Sequence, residues 1–403
     1  MIAADSGQSS AQLRRLAVWY FFYFAFVGAF SPYFTLYLQD VGLSAWDIGV
    51  LMSVPQVMRL LAPNLWGWLA DRSGRRAPIV QWAALFSTLG FAGFFFSRDY
   101  LFMLAAMGLV WFFWSGSLPL VEAMTLDRLV GRTERYGRVR VWGSVGFIVS
   151  VLCIGTLLDM LPISSILWAC LAILGSLLAS ALTLKDGKVG AGEASLPVRT
   201  LLGRPAVVAL LAACFFMAVA HGPLYVFYSI HLVDHGYGKT AVGLLWSLGV
   251  VAEIGVFMAM PRLVRHFSLR TLLLWSFALA VLRFLIIGWL PDYPLYLLFA
   301  QLLHGATFGA YHAAAMAVLI RWFPSQQQAR IQGLYGSVSF GAGGMLGGLV
   351  SGVAWERLGA DITYTLAAGF AACGWLLVWR GLSAAVLEAQ GNPRSVAGKS
   401  VGH

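Results

Sequence analysis

Apolar and polar residues alternate along this chain in long blocks, and short polar segments separate the apolar runs. An apolar helix of about 20 residues is long enough to cross the hydrocarbon core of a bilayer, which is roughly 30 Å thick. The pattern therefore predicts an all-α membrane protein with about twelve transmembrane helices. The predicted spans cover residues 16–39, 46–69, 78–96, 100–125, 139–159, 164–184, 205–232, 240–260, 271–290, 293–322, 328–353 and 362–380.

The overall composition excludes a soluble globular protein. Of the 403 residues, 60% are hydrophobic and 11% are charged, with a mean hydropathy of +0.78. A soluble domain carries about 25% charged residues, so this chain could not cover a surface that faces water. The cysteines lie inside apolar runs without a CxxC pair, which indicates buried free thiols and predicts neither a metal site nor a cofactor. They are Cys153, Cys170, Cys214 and Cys373.

The net charge of +10 follows the membrane topology and does not indicate nucleic-acid binding. Of the 27 basic residues, 21 lie at the two termini or in the loops that follow even-numbered spans, and 3 lie in the opposite loops. Cytoplasmic loops carry the excess of Lys and Arg, so both termini are expected in the cytoplasm. We expect a multi-pass protein of the bacterial inner membrane that has the lipid bilayer as its partner and functions as a monomer.

The chain contains an internal repeat. GLSAWDIGVLMSV, from Gly42, aligns with GKTAVGLLWSLGV, from Gly238, at an offset of 194, and WGSV, from Trp142, aligns with YGSV, from Tyr335, at an offset of 193. Two matches at nearly one offset predict two six-helix bundles with a substrate site between them. The predicted parts are an N-terminal bundle (1–184), a cytoplasmic linker (185–204) and a C-terminal bundle with a short tail (205–403).

The loop between spans two and three carries a dense polar motif, GWLADRSGRR. An aspartate at a helix end, a tight glycine turn and three guanidinium groups can lock helix ends together and release them when the halves move. The motif resembles the signature of the major facilitator superfamily, which implies that fold and a role as a conformational latch. The matching residues are Gly67, Asp71, Arg72, Gly74, Arg75 and Arg76.

Charged residues inside the spans are candidate functional groups. Arg59, Glu253, Arg283 and His304 each lie about 11–13 residues into a span, which places them roughly 17–20 Å deep, near the bilayer centre. A charge there costs about 2.5–3.5 kcal/mol on insertion scales, so such residues are functional by default. An ionised Glu253 needs a counter-charge, and Arg283 is predicted to supply it.

Span ten adds titratable groups on one helical face. His304, Thr307, Tyr311 and His312 follow a spacing of i, i+3, i+7 and i+8. Because histidine titrates near neutral pH, we predict a proton-coupling site formed by Glu253, Arg283, His304 and His312, with His221 of span seven next in line.

Spans four and five resemble the lactose permease family through PLVEA, from Pro119, and YGRVRVWG, from Tyr136. That resemblance implies a substrate site at Glu122, Arg140 and Phe147, and it aligns Glu253, Arg283 and His304 with buried residues of that family. Two positions depart from its pattern, because Thr307 replaces the proton-carrying glutamate and Gln301 replaces a lysine.

The departures fit the bacterial 3-phenylpropionate transporter family better. VRVWGSVGF, VGLLWSLGVVAE and LLHGATFGAYHAAAM are very similar to that family, which shares the threonine. The resemblance implies proton-coupled uptake of a small organic solute, such as an aromatic carboxylate, by alternating access.

Several other functions remain open from the sequence. A sugar or nucleoside proton symporter is the nearest alternative, since relatives in this superfamily carry such solutes. A drug/proton antiporter is less favoured, because span five of that class carries a signature that contains Gly-Pro, and residues 141–159 here contain no proline. A non-transporting sensor is also less favoured, because the tails resemble no signalling module. An enzyme is not expected, since the chain has no G-x-S-x-G or HExxH motif and no nucleophile accompanies Glu122 and Arg140.

Overall fold

The computed structural model describes residues 2–129, 135–186 and 204–388. Within these residues, twelve helices are long and apolar enough to cross a membrane. The helices are α1 (Ile2–Asp40), α2 (Ala45–Ser73), α3 (Ala77–Phe95), α4 (Tyr100–Arg128), α5 (Tyr136–Met160), α6 (Ser165–Leu182), α7 (Pro205–Asp234), α8 (Lys239–His266), α9 (Leu269–Trp289), α10 (Pro294–Trp322), α11 (Arg330–Leu358) and α12 (Ala360–Gly381).

The predicted all-α membrane fold with twelve spans is confirmed, and most bounds differ by a few residues. The largest differences lie at polar helix ends, which an apolar pattern does not report. Helix α8 continues six residues past the predicted limit of 260, and its last turn contains Arg265 and His266. Cations at a helix C-terminus are favourable because they face the negative end of the helix dipole. Helix α2 ends at Ser73, because the next residue, Gly74, has a φ of +63° that stops the helix.

The outer surface of the helices is apolar. Large side chains such as Phe96, Met160 and Leu295 are about four-fifths exposed. An apolar surface of this extent is compatible with lipid and not with water. The prediction of four buried thiols is wrong for two of them: Cys170 and Cys214 are buried, whereas Cys153 and Cys373 are exposed on α5 and α12. An apolar sequence around a cysteine does not distinguish the protein interior from the lipid.

The helices pack in a repeated pattern within two compact units. In the first unit, α1 packs against α5 and α6, and α3 packs against α4 and α6. In the second unit, α7 packs against α11 and α12, and α9 packs against α10 and α12. Each pair in the second unit corresponds to a pair in the first unit whose helix numbers are lower by six. The packing therefore follows the repeat that the sequence contains.

Helix α1 forms the core of the first unit. Its aromatic side chains pack against α3 and α4, and the rings of Tyr23 and Trp114 are stacked with centroids 3.9 Å apart. On the side of α5, a Cβ atom at Gly146 would overlap the carbonyl oxygen of Phe21, and one at Gly28 would press against the backbone of Phe147. The two glycines therefore let α1 and α5 approach at backbone distance, as small residues do in membranes.

The first unit also includes Tyr228–Ser247, the end of α7 and the start of α8. The predicted bundles of residues 1–184 and 205–403 stay a prediction, and most of the predicted linker of residues 185–204 lies outside the described residues. The carboxylate of Asp159 accepts hydrogen bonds from the backbone N–H groups of Lys239 and Thr240, at 2.7 and 2.9 Å. An acidic side chain at a helix N-terminus satisfies free N–H groups and faces the positive end of the dipole. Asp159 of α5 thus caps α8.

Candidate functional site

The first unit contains an ion pair between α4 and α5. Arg140 Nε lies 3.7 Å from Glu122 Oε1, and the hydroxyl of Tyr136 donates a hydrogen bond to the same oxygen at 3.3 Å. The side chains of Arg140 and Glu122 remain 30% and 36% exposed. The structure therefore brings together the two residues that the sequence paired, and it leaves both of them accessible.

An aromatic ring from α1 lies against this pair. The guanidinium carbon of Arg140 is 4.1 Å from the ring centroid of Phe24 and 5.4 Å from that of Tyr20, close enough for cation–π interactions. A Cβ atom at Gly143 would lie 2.7 Å from the Phe24 ring and 2.8 Å from Arg140 Nη1. The absence of a side chain at Gly143 thus makes room for the guanidinium to lie along the ring.

The sequence-predicted aromatic residue of this site lies further along α5. Phe147 is seven residues beyond Arg140, about 10 Å along the helix axis at 1.5 Å per residue, and it is 9% exposed. The ring that contacts Arg140 belongs to Phe24, which the sequence analysis did not assign. The one feature of the sequence that could have indicated Phe24 is its position within the aromatic run of the first span.

In the second unit, α8 and α10 bring Glu253 and His304 together. Glu253 Oε2 lies 3.8 Å from His304 Nε2. The helices approach closely because two residues of α10 lack side chains: a Cβ atom at Gly305 would lie 2.6 Å from the carbonyl oxygen of Ala252, and one at Gly309 would lie 3.3 Å from Glu253 Cγ. The predicted proximity of Glu253 and His304 thus depends on a glycine-lined helix crossing.

Arg283 of α9 is completely buried beside the same part of α10. Its Nε donates to the carbonyl oxygen of Ala300 at 2.9 Å, Nη1 to Thr307 Oγ1 at 3.2 Å and Nη2 to Gln301 Oε1 at 3.3 Å. Thr307 and Gln301 are the two positions that depart from the lactose permease pattern. The structure gives both departures a physical reason, since each supplies a neutral oxygen to the guanidinium.

The backbone of α10 is distorted where these contacts converge. Gly305–Ala310 forms a π-helical segment, and Ser337–Gly343 forms a second one in α11. Wide turns of this type are frequent at functional sites, because they turn side chains out of the regular helical register. Thr307 lies within the first segment, and its hydroxyl also approaches the carbonyl oxygen of His304 at 3.5 Å. Hydrophobic periodicity does not predict such segments.

His312 lies two turns further along α10, apart from the Glu253–His304 pair. The ring of Phe308 stands between the two histidines, nearly parallel to both, with centroids 5.4 Å from His304 and 6.3 Å from His312. His312 Nδ1 lies 2.9 Å from the hydroxyl of Tyr335 on α11. The structure therefore groups three of the four predicted coupling residues around His304 and places His312 in a separate hydrogen bond.

The predicted latch motif lies at the turn between α2 and α3. Gly74 makes the turn, with its N–H donating to the carbonyl oxygen of Ala70 at 2.9 Å. Asp71 is exposed and forms no ion pair with any of the described residues. The expected contact between Asp71 and the neighbouring guanidinium groups is therefore not made in this conformation. Gly67 has open space around it, Arg72 lies over the ring of Trp68 at 5.5 Å, and Arg75 is exposed.

Two acidic residues that the sequence analysis missed hold the last arginine of the motif. Arg76 forms an ion pair with Asp127 at the end of α4. The carboxylate of Asp186 accepts from the backbone N–H groups of Arg76 and Ala77, at 2.8 and 2.7 Å, and so caps α3. The motif is thus tied to helix ends that are distant in sequence.

The whole pattern agrees with comparisons to known proteins. The model of the MFS_1-like family matches residues 13–366. The chain belongs to this family. It is a multi-pass membrane transporter of the major facilitator superfamily and not an enzyme. The Escherichia coli K12 protein named "Probable 3-phenylpropionic acid transporter" is 31% identical over 369 residues, covering 88% of this chain and 94% of its own.

More distant relatives share the same architecture. The maltose permease of Geobacillus stearothermophilus is 27% identical over 89% of this chain and 91% of its own length. A crystal structure of a mutant of the nucleoside transporter NupG superposes with a TM-score of 0.82, at 17% identity, over 92% of this chain and all of that one. This second similarity shows the fold alone. The resemblance to the superfamily is confirmed.

The contacts of Arg283 lead to a stability prediction for this transporter. Thr307→Val removes the hydroxyl and nearly preserves the volume, so Arg283 Nη1 loses an acceptor in a buried site. Losing a hydrogen bond to a buried charged group costs about 1.5–3 kcal/mol. We expect a clearly lower melting temperature of the purified protein in detergent. Thr307→Ser keeps the hydroxyl and should melt near the wild type, and equal melting of all three proteins would contradict the assigned contact.

Proposed function

We propose that this transporter takes up a small aromatic carboxylate, of the 3-phenylpropionate type, together with a proton. Uptake proceeds by alternating access across the bacterial inner membrane, and the protein acts as a monomer. The excess of basic residues at the termini and in the loops after even-numbered spans supports cytoplasmic termini. The observation that carries the substrate class is the accessible guanidinium of Arg140, whose central carbon lies over the Phe24 ring, 4.1 Å from its centroid.

The surroundings of Arg140 suit an aromatic acid. A guanidinium group binds a carboxylate through two parallel N–H donors, and among the described residues no hydrogen-bond acceptor engages its terminal amino groups. Phe24 is half-buried and offers a ring beside this fork. Because the ion pair with Glu122 is partly exposed, its contribution to stability is small, and a ligand can displace it at little cost. Phe147 remains a predicted contact of the substrate ring.

The pairing of Glu253 with His304 supports proton coupling. Protonation of Glu253 removes the carboxylate charge that favours a cationic His304, so binding of the proton changes the charge of the whole cluster. Co-transport of one carboxylate with one proton carries no net charge through the apolar interior. Arg283 contributes a fixed positive charge beside this cluster. His312 remains a predicted member of the coupling site, acting through Tyr335.

A sugar is the second candidate substrate. The carboxylate of Glu122 can accept hydrogen bonds from hydroxyl groups, and one relative with similar coverage is a maltose permease. The two substrates differ in what they require of position 140, because a neutral sugar has no carboxylate for the guanidinium fork. Substitution of Arg140 therefore discriminates between them.

Arg140→Lys tests the substrate site. The lysine keeps the positive charge near Glu122 but loses both the planar fork and the stacking on Phe24. We expect the affinity for 3-phenylpropionate to fall about tenfold or more, as for loss of a charge-assisted hydrogen bond. Equilibrium binding to the purified protein measures this. Arg98→Lys, in a loop outside the site, is the matched control, and wild-type affinity in Arg140→Lys would remove Arg140 from the site.

Glu253→Gln tests the coupling site. The amide mimics the protonated carboxyl, so we expect exchange of 3-phenylpropionate across proteoliposomes to continue while accumulation driven by a pH gradient is lost. Protein-free liposomes correct for passive entry of the neutral acid. Asp292→Asn, an exposed carboxylate between α9 and α10, is the matched control. If Glu253→Gln still concentrates the substrate when a gradient is imposed, the coupling role belongs to another residue.

A further inference from the structure

His221 lies at a break in α7 and is buried, with 2% of its surface exposed. Its Nδ1 is 2.8 Å from the carbonyl oxygen of Met217. A carbonyl oxygen only accepts hydrogen bonds, so Nδ1 must carry the proton, and Nε2 of the neutral ring is an acceptor. This Nε2 atom is buried and has no hydrogen-bond partner among the described residues. The orientation of His221 is therefore fixed by the backbone, with an acceptor pointing inwards.

Two more buried polar atoms without a described partner belong to α10. His304 Nδ1 is one of them, on the opposite side of the ring from the nitrogen that approaches Glu253. Gln301 Nε2 is the other. Because Gln301 Oε1 accepts from the guanidinium of Arg283, which can only donate, the amide orientation is determined and Nε2 is a donor. With Nε2 of His304 protonated towards the carboxylate, His304 Nδ1 is an acceptor.

The side chains of His221, Gln301 and His304 lie in one region of the second unit. The imidazole centroids of His221 and His304 are 6.4 Å apart, with the ring planes at 61°. Gln301 and His304 converge on Gly249, since a Cβ atom there would lie 3.2 Å from Gln301 Oε1 and 3.4 Å from His304 Cδ2. The ring separation matches two hydrogen bonds of about 2.8–3.0 Å each through a single water oxygen.

One donor and two acceptors are the set of partners that a single water molecule can engage. A water can donate one hydrogen to each of two imidazole nitrogens and accept one from an amide. Buried waters typically make about three hydrogen bonds to polar groups that otherwise lack partners. Leaving three buried polar atoms without partners would cost about 1–3 kcal/mol each. A single water held between the three side chains can supply a partner to each of them.

We propose that His221, Gln301 and His304 hold a water molecule that relays protons between α7 and Glu253. This inference rests on the proposed role of Glu253 in coupling. When His221 takes up a proton on Nε2, its ring becomes cationic. That proton then passes to the water oxygen as the water gives one of its own hydrogens to His304 Nδ1, and His221 returns to the neutral form. His304, protonated on both nitrogens, then releases its Nε2 proton to the Glu253 carboxylate. The balance is one proton moved from His221 to Glu253, and reorientation of the His304 ring resets the relay.

The charges around the two histidines favour transfer of the proton to Glu253 over its retention on either imidazole. In the part of the chain that the structure describes, Arg283 of α9 and Glu253 of α8 are the charged groups beside the two rings. Tyr225 of α7 lies with its ring centroid 6.1 Å from that of His221. The charged residues of α11 and α12 lie at the ends of those helices. The fixed cation of Arg283 disfavours a second positive charge on either imidazole, whereas the carboxylate of Glu253 attracts the proton.

Infrared difference spectroscopy across a pH step, in H₂¹⁶O and H₂¹⁸O, tests the water directly. His221→Asn keeps an amide N–H for the Met217 carbonyl and removes the acceptor at Nε2. His266→Asn is the matched control, since His266 Nδ1 makes the same type of contact, 2.8 Å from the carbonyl oxygen of Arg262 four residues earlier, at an exposed site. We expect an isotope-shifted water band in the wild type and in His266→Asn that is lost in His221→Asn and in Gln301→Leu.

The transport assay separates this relay from the proposed function. His221→Asn should slow gradient-driven uptake of 3-phenylpropionate by about tenfold or more, as for loss of a positioned proton donor, and leave exchange unchanged. Two results overturn the relay but not the proposed coupling site. One is a water band that persists in His221→Asn. The other is gradient-driven uptake at the wild-type rate in His221→Asn while Glu253→Gln has lost it. Driven uptake that persists in Glu253→Gln overturns the proposed coupling site, and the infrared result then decides the water site by itself.

Discussion

The buried guanidinium of Arg283 is the constraint on which the second unit depends. A charge inside a membrane protein must be met by hydrogen-bond acceptors, because no water of the bulk solvent reaches it. Three oxygen atoms of α10 meet it, from Ala300, Gln301 and Thr307. Ala300 and Gln301 precede the π-helical segment of α10, and Thr307 lies within it. The contacts of Arg283 therefore extend across the start of the distorted turn.

Further consequences follow from satisfying Arg283 with neutral groups. The amide of Gln301 is oriented by the guanidinium, which leaves its N–H₂ group pointing away from Arg283. These three acceptors are neutral, and the positive charge of Arg283 acts on nearby titratable groups. His304 and Glu253 lie within this field, 3.8 Å apart, and in the proposed coupling site their protonation is linked. A neutral threonine and glutamine at positions 307 and 301 are thus compatible with proton chemistry that uses Glu253.

The two units differ in how their charges are exposed, and this difference matches different tasks. The Glu122–Arg140 pair of the first unit is about one-third exposed, so a ligand can replace either partner without leaving a buried charge. In the cluster around Arg283 the arginine is completely buried, and the side chains of His304 and Glu253 are only 10% and 21% exposed, so a change in their protonation alters the energy of the surrounding helices. The first arrangement suits reversible binding of a solute, and the second suits coupling of a proton to conformation.

Sequence reasoning succeeded where a local signal exists. The number of spans follows from the length of apolar runs. Glu253 and His304 were singled out because charged and titratable residues are rare in such runs, whereas Glu122 and Arg140 came from the resemblance to lactose permease, and the roles of all four stay predictions. It failed where the contact joins distant segments. Asp127 and Asp186 hold Arg76 from other helices, and nothing in the loop motif indicates them. The π-helical segments were also missed, because a membrane span is recognised by its length and apolar composition, and an extra residue in one turn barely changes either.

Uptake of labelled 3-phenylpropionate, maltose and uridine into proteoliposomes, with and without an imposed pH gradient, tests the central claim most directly. Protein-free liposomes measure passive entry of the neutral acid and are subtracted. The account predicts that the purified transporter accumulates 3-phenylpropionate only when protons can flow inwards, and that it accumulates neither of the other two solutes. Accumulation of maltose or uridine without the acid, or uptake of the acid that does not respond to the gradient, would contradict it.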